Sequence, residues 1–355
     1  MGPYDASNEF RLLVALCRLA FAGADKPKVC EAPAEIDWNH LLRLARFHRV
    51  QGLVSHSLPA LRVSPPDEIA AVISEDARII AATNLSAVAE SRALLADFEA
   101  AGIPLLFLKG LTVGALAYRY PMLKMGWDVD LLVNPDQVGA AGKILRRRGY
   151  SLVLPKDIAK LERWHRRRKE SVWTNEVGIY VELHSRVADN PSLIPRVNVS
   201  TPRQIVEVAE GVSLPTLRDE ELFAYLCVHG ASSAWFRLKW IADLAGLLHG
   251  RPATEMEWLY KRSQELGAYR AADQALLLAG ALFGSLDGTD LQPRLLRNRA
   301  NRILFDAALQ QLLSSREPTE PRFGTWRIHW TQLLLKPGLA FKVGEAARQV
   351  RDAIV

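Results

Sequence analysis

Two aspartates, Asp128 and Asp130, stand one residue apart in the apolar segment WDVDLLV. Side chains of a strand alternate between its two faces, so both carboxylates are expected to point the same way. Two ionised carboxylates at this spacing repel each other, and a divalent cation relieves the repulsion. Oxygen ligands suit Mg²⁺, and two such ions can stabilise the attacking and leaving oxygens of a phosphoryl or nucleotidyl transfer. The competing interpretation is the polar end of an ordinary strand, because acid-x-acid pairs also occur by chance.

A third carboxylate, Glu182, lies in the apolar segment IYVELHSRV. Its neighbours Val181 and Leu183 predict a strand, and a carboxylate in such a strand needs a partner. That partner is either a metal ion shared with Asp128 and Asp130 or an arginine in a salt bridge. The residue alone does not decide between the two.

A lysine-glycine pair, Lys109 and Gly110, joins the short apolar segment LLFL to the helical segment GLTVGALAYRY. The start of a helix leaves backbone N–H groups free, and these groups and the helix dipole favour a phosphate. Gly110 permits close approach of the backbone, and Thr112 offers a hydroxyl group. Lys109 is either a phosphate ligand or a lysine that extends its ammonium group from a strand end into solvent.

Apolar spacing divides the chain into three regions. Residues 8–101 follow the helical period, the next hundred residues alternate between short strands and helices, and the helical period returns from Pro202. We therefore predict an α+β fold in which a small mixed β-sheet core at 102–200 is flanked by helical regions at 1–101 and 201–355. Within the core the expected order is strand (LLFL), helix (GLTVGALAYRY), strand (VDLLV), helix (135–148), strand (GYSLVLP) and a hairpin (SVWT with IYVELHSRV).

The helical segment FAYLCVHGASSAWFRLKWIADL carries four polar side chains among apolar ones, namely His229, Arg237, Lys239 and Asp243. Buried polar groups need partners, so a bond between His229 and Asp243 inside the core is one interpretation. The other makes these residues a wall of the nucleotide or acceptor pocket. In that case Arg237 and Lys239 would reach phosphate.

The densest basic run, KLERWHRRRKE at 160–170, includes Trp164 and His165. Arginines and an aromatic ring together can bind RNA through phosphate contacts and stacking. A solvated helix face, or a loop that guards the nucleotide, explains the same run. Nucleic acid is therefore the less favoured partner.

The charge and cysteine content limit the class of protein. A formal net charge of +6 and a pI near 9.3 favour anionic partners such as nucleotides, nucleic acids or phosphorylated compounds. Three scattered cysteines, Cys17, Cys30 and Cys227, provide neither a disulfide framework nor a C-x-x-C metal pair. No uninterrupted apolar run reaches the roughly 18 residues that span a bilayer. These features predict a soluble protein of the reducing cytoplasm with no membrane partner.

The order strand, glycine turn, helix, strand with two aspartates and later strand with a third carboxylate resembles the nucleotidyltransferase superfamily, which includes polymerase-β-like and aminoglycoside nucleotidyltransferases. The chain is most similar to a bacterial family of uncharacterised nucleotidyltransferases, in which a strand ends in LKG, an arginine precedes DIDLLV, and VDLHW follows. Here the segments read FLKGLTVGALAYRYP, LKMGWDVDLLV and VELHSRV. The resemblance covers nearly the whole chain.

The resemblance implies roles for individual residues. Asp128, Asp130 and Glu182 match the carboxylates that bind two Mg²⁺ ions, or Mn²⁺ in their place. Lys109 and Gly110 match the turn that binds the triphosphate.

Further positions concern substrate contacts. His184 matches the histidine after the third carboxylate, and the resemblance implies that it touches a phosphate, touches the acceptor or orients Glu182. Lys124 stands where an arginine is more common, Trp127 stands where a glycine is typical, and the turn lacks the Gly-Ser of better-known superfamily members. A lysine can bind phosphate but cannot make the bidentate contact of an arginine. None of these departures removes a carboxylate.

The resemblance therefore implies a Mg²⁺-dependent nucleotidyltransferase that moves an NMP from an NTP, with ATP as the favoured donor. The acceptor is a hydroxyl or phosphate of a small molecule, peptide or protein, and pyrophosphate is released. Two alternatives stay open. One is a nucleic-acid-directed enzyme or RNA-binding module that uses the basic run, and the other is a catalytically inactive regulatory protein of the same fold.

Overall fold

The computed structural model describes residues 6–21, 33, 35–126, 128–314 and 326–353. Cys30 and Trp127 lie outside the described residues. Within this part of the chain, fifteen α-helices surround a five-stranded mixed sheet and a two-stranded hairpin, which confirms the predicted α+β class.

The helices are α1 Asn8–Leu19, α2 Trp38–His48, α3 Gln51–Ser57, α4 Asp67–Ala100, α5 Leu111–Tyr118, α6 Val138–Arg147, α7 Leu161–Arg167, α8 Asp219–Ser232, α9 Leu238–Leu248, α10 Ala253–Leu266, α11 Arg270–Phe283, α12 Leu291–Leu296, α13 Arg299–Ser314, α14 Trp326–Gln332 and α15 Leu339–Ala353. The strands are β1 Leu106–Phe107, β2 Asp128–Leu132, β3 Ser151–Leu154, β4 Glu170–Thr174, β5 Tyr180–His184, β6 Arg203–Ala209 and β7 Val212–Leu217.

The five-stranded sheet has the order β1-β2-β5-β4-β3. Strands β2 and β5 run parallel, whereas the other neighbouring pairs are antiparallel. A parallel pair needs a long crossover connection, and α6, β3, α7 and β4 lie between these two strands. The apolar residues of β2 and β5, among them Leu131 and Leu183, are buried in the core beneath the sheet. Their alternation leaves the acidic residues of both strands on the opposite face.

The residues after Pro202 depart from the predicted helical pattern. Strands β6 and β7 form an antiparallel hairpin over 203–217, so the expectation of helices in this segment was wrong. The segment QIVEVAEGVSLPTL alternates apolar and polar residues around a glycine turn, which is typical of a hairpin. The hydroxyl of Thr216 donates a hydrogen bond to the carbonyl oxygen of Phe107 in β1 at 2.6 Å. This bond attaches the hairpin to the sheet.

Two hydrophobic cores stabilise the fold. One lies inside the α/β unit, between the sheet, α4, α6 and the β6–β7 hairpin. The other joins helices that precede the sheet, α1 to α3, with helices that follow it, α8 to α13, and with α5. The N- and C-terminal helical regions therefore share one core. The domain boundaries at residues 101 and 200 stay a prediction.

Helix α4 is 34 residues long and runs beside the sheet. Asp67 and Glu68 lie in its first turn, where carboxylates offset the helix dipole. Midway along the helix, the buried side chain of Asn84 donates hydrogen bonds to the carbonyl oxygens of Pro121 at 3.1 Å and Lys124 at 2.8 Å. These bonds hold the segment that leads into β2 against α4.

Among the described residues, α4 is also the one helix whose length and composition would allow it to cross a membrane. One such helix is weak evidence, because long core helices of soluble proteins meet the same criterion. In this fold, Ile73, Leu94 and Phe98 of α4 are completely buried against other parts of the protein.

Candidate active site

The side chains at 130 and 182 meet because β2 and β5 are parallel neighbours. In their register, Asp128 lies opposite Tyr180 and Asp130 lies opposite Glu182. Potential ligand atoms of Asp130, Glu182 and His184 all lie within 4.8 Å of one another. Asp128 does not belong to this compact group, and its side chain is partly exposed at the start of β2. The pairing thus brings together two of the three predicted metal carboxylates and adds a histidine.

Basic neighbours compensate the charge of Asp130. The ammonium nitrogen of Lys109 lies 2.8 Å from Oδ1 of Asp130 and 3.9 Å from Oε2 of Glu182. Burial alone would raise the pKa of Asp130, but Lys109 and His184 outweigh burial and hold that pKa well below its ordinary range. Burial, together with the charge of Asp130, raises the pKa of Glu182. The two carboxylates therefore have opposite shifts, as expected where like charges share one site.

His184 is buried between three carboxylates. Its Nε2 lies 3.1 Å from Asp130 and 3.4 Å from Glu182, and its Nδ1 lies 3.3 Å from Glu170. Burial disfavours the charged ring, yet Glu170 and the other two carboxylates outweigh it and raise the pKa of His184 to about 9. The three carboxylates therefore favour the charged form of the ring. Of the three roles that the resemblance implies for His184, this geometry fits the one in which the ring orients Glu182.

The turn at Gly110 opens α5 next to the aspartates. Gly110 has φ 64° and ψ −121°, a conformation that residues with a Cβ rarely adopt. A Cβ at this position would lie 3.8 Å from the backbone oxygen of Asp128, so the turn and β2 are close together. The buried hydroxyl of Thr112 donates a hydrogen bond to the carbonyl oxygen of Lys109 at 3.2 Å. That hydroxyl thus stabilises the turn itself.

A cavity of about 250 Å³ opens beside the turn and the aspartates. Its lining includes Lys109, Gly110, Asp128 and Asp130, together with residues of α4 and of the turn between β4 and β5. On the α4 side, the Oγ atom of Ser91 is buried and has no hydrogen-bond partner among the described residues. A molecule in this cavity would therefore meet carboxylates and a lysine.

Comparison with protein families agrees with this geometry. The chain matches the model of a family described as uncharacterised nucleotidyltransferase over residues 34–284, which is more than half of its 355 residues. The chain belongs to this family. The match includes β2, β5 and the Gly110 turn, and it confirms the family that the sequence motifs suggested. No curated protein matches the sequence significantly.

Lys124 and Asp243 form a buried ion pair near the site. The Nζ atom of Lys124 lies 2.6 Å from Oδ2 of Asp243, and the hydroxyl of Tyr118 donates a hydrogen bond to Oδ1 at 2.7 Å. The partners of Asp243 are thus Lys124 and Tyr118. The interpretation that Asp243 bonds to His229 is not what the structure shows. The ion pair joins the segment before β2 to α9.

His229 lies on α8, near the cations of the site. Its ring centroid is 5.8 Å from that of Tyr225 and 5.9 Å from that of Trp240. Burial, followed by the charges of Lys109 and Lys169, lowers the pKa of His229 well below its ordinary value. The neutral form of His229 is therefore favoured on this side of the site.

Arg237 and Lys239, at the start of α9, have different surroundings. The buried guanidinium group of Arg237 donates a hydrogen bond to the carbonyl oxygen of Phe47 and lies over the rings of Phe47 and Phe236. Lys239 is half-buried, and its ammonium nitrogen is 6.0 Å from the centroid of the Trp240 ring. Arg237 thus joins α9 to α2, whereas Lys239 makes no such bond to the residues that the structure describes.

The basic run at 160–170 occupies α7 and the residues next to it. Arg163, Arg166 and Arg167 are exposed, as expected of a solvated helix face. The indole nitrogen of Trp164 donates a hydrogen bond to the carbonyl oxygen of Glu170 at 2.7 Å. The tryptophan that was considered for stacking on RNA is therefore bonded to its own sheet.

Two residues of the site were missed in the sequence, Lys169 and Glu170. The ammonium nitrogen of Lys169 lies 2.9 Å from Oε2 of Glu170, and Glu170 lies opposite His184 in the register of β4 and β5. The alternating segment ESVWT carried a signal for Glu170, because a carboxylate in a hairpin strand can contact the facing strand. No sequence signal marked Lys169, because it ends a run of basic residues that all look alike in sequence.

Proposed function

We propose that this protein is a Mg²⁺-dependent nucleotidyltransferase that moves an NMP, with ATP as the favoured donor, to a hydroxyl or phosphate group of an acceptor. The observation that carries the proposal is the parallel register of β2 and β5, because it sets Asp130 beside Glu182. Asp130 lines the same cavity as Asp128 and the Gly110 turn. Carboxylates next to a turn that suits phosphate are what metal-assisted transfer of a nucleotidyl group requires.

The donor atoms suit a hard divalent cation. Asp128, Asp130 and Glu182 would hold two Mg²⁺ ions, or Mn²⁺ in their place, because all three supply carboxylate oxygens. The raised pKa of Glu182 supports this fit, since burial beside Asp130 disfavours its charged form and a cation would offset that cost. When bound, the ions stabilise the oxygens that attack and leave the α-phosphorus.

The basic residues act on the triphosphate and on the position of β2. Lys109 and the backbone N–H groups after Gly110 bind the terminal phosphates of the donor. The ammonium group of Lys109 lies 2.8 Å from Asp130 and lines the donor cavity, so it would bind phosphate there if the carboxylates held cations. Lys124 fixes the segment that enters β2 through its ion pair with Asp243.

The transfer itself exchanges one phosphorus–oxygen bond for another. An acceptor oxygen forms a bond to the α-phosphorus of the NTP while the bond between that phosphorus and the bridging oxygen breaks. Pyrophosphate leaves with the electrons of the broken bond, and the proton of the acceptor passes to a base. Glu182 would assist this deprotonation through its carboxylate.

The acceptor is a small molecule, peptide or protein, and the flanking helices shape its pocket. The exposure of Arg163, Arg166 and Arg167 keeps a nucleic-acid-directed activity as the second candidate. Binding through these arginines would weaken steeply as salt rises. A regulatory protein of the same fold would bind nucleotide and release no pyrophosphate with any acceptor.

The first test is a thermal-shift screen of the four NTPs with and without Mg²⁺. Ligand that binds only the folded state raises Tm by mass action. We expect a Mg²⁺-dependent rise for ATP in the wild type and loss of that rise in the Asp128→Ala/Asp130→Ala variant. The matched control is Asp136→Ala, which removes an exposed carboxylate shortly after β2 and should respond as the wild type does.

Equal Tm shifts in the wild type and the double variant would contradict the proposal, because the two aspartates would then have no part in binding the metal and nucleotide. Measuring pyrophosphate release with candidate acceptors then separates an active enzyme from a protein that only binds nucleotide.

A further inference from the structure

The C-terminal end of α2 and the N-terminal end of α9 form a closely bonded junction. The guanidinium group of Arg237 donates a hydrogen bond to the carbonyl oxygen of Phe47, and the backbone N–H of Leu238 donates one to Nδ1 of His48 at 3.1 Å. These contacts join consecutive residues of one helix end to consecutive residues of the other. The next residue along each chain segment is a cation, Arg49 on one side and Lys239 on the other.

Arg49 and Lys239 differ from other cations of the site in lacking an acidic partner. Both are half-buried. Among the described residues, neither charged group has a hydrogen bond or an ion pair, and the ammonium group of Lys239 contacts only the ring of Trp240. Arg49 also ends α2 in the left-handed region, with φ 57°, which turns the chain there towards α3. Two basic side chains are therefore held near one junction, and neither has an acidic partner in an ion pair among the described residues.

The surrounding charges leave this cluster positive. Lys124 is a third basic residue nearby. Its ammonium nitrogen pairs with Oδ2 of Asp243 at 2.6 Å, so this aspartate, four residues after Lys239 on α9, already has a cationic partner. Burial, then Lys124, then Arg49 lower the pKa of Lys239 to about 7, against the opposing effects of Asp243 and Asp128. An anion bound here would relieve this repulsion.

The residues of this cluster are distinct from the lining of the donor cavity. That cavity is lined by Asp128 and the Gly110 turn, and its described lining includes neither Arg49 nor Lys239. The charge of Asp128 nevertheless acts on Lys239, so the cluster is near the start of β2. An anion held by the two cations would thus be close to the reacting centre and separate from the site assigned to the triphosphate.

We propose that Arg49 and Lys239 form a subsite for a phosphate group carried by the acceptor. This inference rests on the proposed nucleotidyl transfer, and it narrows the acceptor to a phosphorylated compound. A guanidinium group binds phosphate through a planar pair of N–H donors, and an ammonium group adds a point charge. The subsite holds the acceptor by this phosphate while the acceptor's oxygen faces the α-phosphorus of the donor.

The test separates the two anions that the cluster can bind, the acceptor phosphate and the donor triphosphate. Calorimetry first measures the affinity of the Mg²⁺ complex of α,β-methylene ATP for the wild type, Arg49→Gln and Lys239→Gln. Inorganic phosphate is then titrated into each protein at constant ionic strength, with and without saturating analogue, while Tm is followed. The titration without analogue keeps the phosphate result independent of nucleotide binding, so failure of the proposed function and failure of the subsite are distinguishable.

We expect phosphate to raise the Tm of the wild type even when the analogue is saturating. Each variant should bind phosphate about tenfold or more weakly, since a hydrogen bond between charged groups is lost, and should bind the analogue as the wild type does. The ligand-free Tm of both variants should be no lower than that of the wild type, because a repelling charge is removed. Arg49→Lys should retain most of the phosphate response, and Lys143→Gln, at an exposed lysine of α6, is the matched control.

Three results would overturn the inference. Phosphate that leaves the Tm of the wild type unchanged would show that no subsite exists. A phosphate response that is equal in all variants would place the anion elsewhere. An equal loss of affinity for phosphate and for the analogue would assign the two cations to the donor triphosphate.

Discussion

Asp130 belongs to a chain of alternating charges. Glu170 contacts His184, His184 contacts Asp130, and Asp130 contacts Lys109. Each charge is compensated by the next, so the buried carboxylate of Asp130 stays ionised. Under the proposed function, such contacts would orient the carboxylate before substrate binds, which a metal site needs and a solvated strand end does not.

Replacing Gly110 by alanine tests the turn beside these charges. A Cβ is strained at φ 64° and ψ −121°, and we expect Gly110→Ala to lower the free energy of unfolding by about 1–3 kcal/mol. The same change should weaken the rise in Tm produced by NTP and Mg²⁺, because the N–H groups of the turn shift. Urea unfolding and the thermal-shift screen measure these two effects.

The control for this substitution is Gly344→Ala. Gly344 lies inside α15, where a Cβ would meet nothing within 4 Å, and alanine should stabilise that helix by about 0.5–1 kcal/mol. A Gly110→Ala protein with wild-type stability and an unchanged nucleotide response would rule out the role given to the turn.

The junction between α2 and α9 depends on a neutral histidine. His48 is buried and accepts a hydrogen bond from the backbone N–H of Leu238. Burial, assisted by the charge of Arg237, lowers the pKa of His48 to about 3. A protonated ring at this position would bring an uncompensated charge into the core, so the folded protein excludes the proton.

This lowered pKa makes folding stability depend on pH. The unfolded chain protonates His48 below about pH 6.5, whereas the folded protein does so only near pH 3. The stability linked to His48 is therefore complete above the unfolded pKa and is lost as the pH falls towards the folded one. From about pH 7 to about pH 5.5, the wild type should lose about 1 kcal/mol more than His48→Asn, whose side-chain oxygen can accept the same N–H. Urea unfolding at both pH values measures this, and identical pH dependence in the two proteins would contradict it.

The pair of Lys124 and Asp243 links the segment before β2 to a helix of the larger core. Lys124 precedes β2, and Asp243 lies on α9. Both side chains are buried, with 8% and 5% exposure. Removing one partner of such a pair leaves a buried charge without compensation, which costs about 3–5 kcal/mol.

Lys124→Met should therefore destabilise the protein by about 3 kcal/mol or more, and adding Asp243→Asn should recover much of that loss. Asparagine keeps an acceptor for the Tyr118 hydroxyl group. Equilibrium unfolding of the wild type, both single variants and the double variant gives the coupling free energy. Arg78→Met breaks the exposed pair with Glu75 and is expected to change stability little. If the losses in the free energy of unfolding of the two single variants simply add in the double variant, the two side chains do not interact and the prediction is wrong.

Local patterns in the chain were sufficient for the features that depend on near neighbours. The alternation of WDVDLLV placed Asp128 and Asp130 on one strand, and the glycine of FLKGL marked the turn before α5. The helical period likewise predicted α1 to α4 and most helices after the sheet. These predictions succeeded because side-chain periodicity and the conformational freedom of glycine act over a few residues.

The same local rules failed at the β6–β7 hairpin. Short apolar segments such as QIVEVAEGVSLPTL do not separate a strand from a helix by periodicity alone, and the helical segments on the C-terminal side favoured the wrong choice. Packing on β1 through Thr216 is what makes this segment a hairpin.

Contacts between distant residues arise only when the chain folds. The parallel register that sets Asp130 beside Glu182 is chosen by the packing of entire strands, because a shift of one residue would move every side chain to the other face. Arg49 and Lys239 come together through bonds between residues 190 positions apart, a separation over which no spacing rule applies. The sequence by itself thus determined which residue types suit the chemistry. Their meeting at one site was decided by the burial of two cores and the register of two strands.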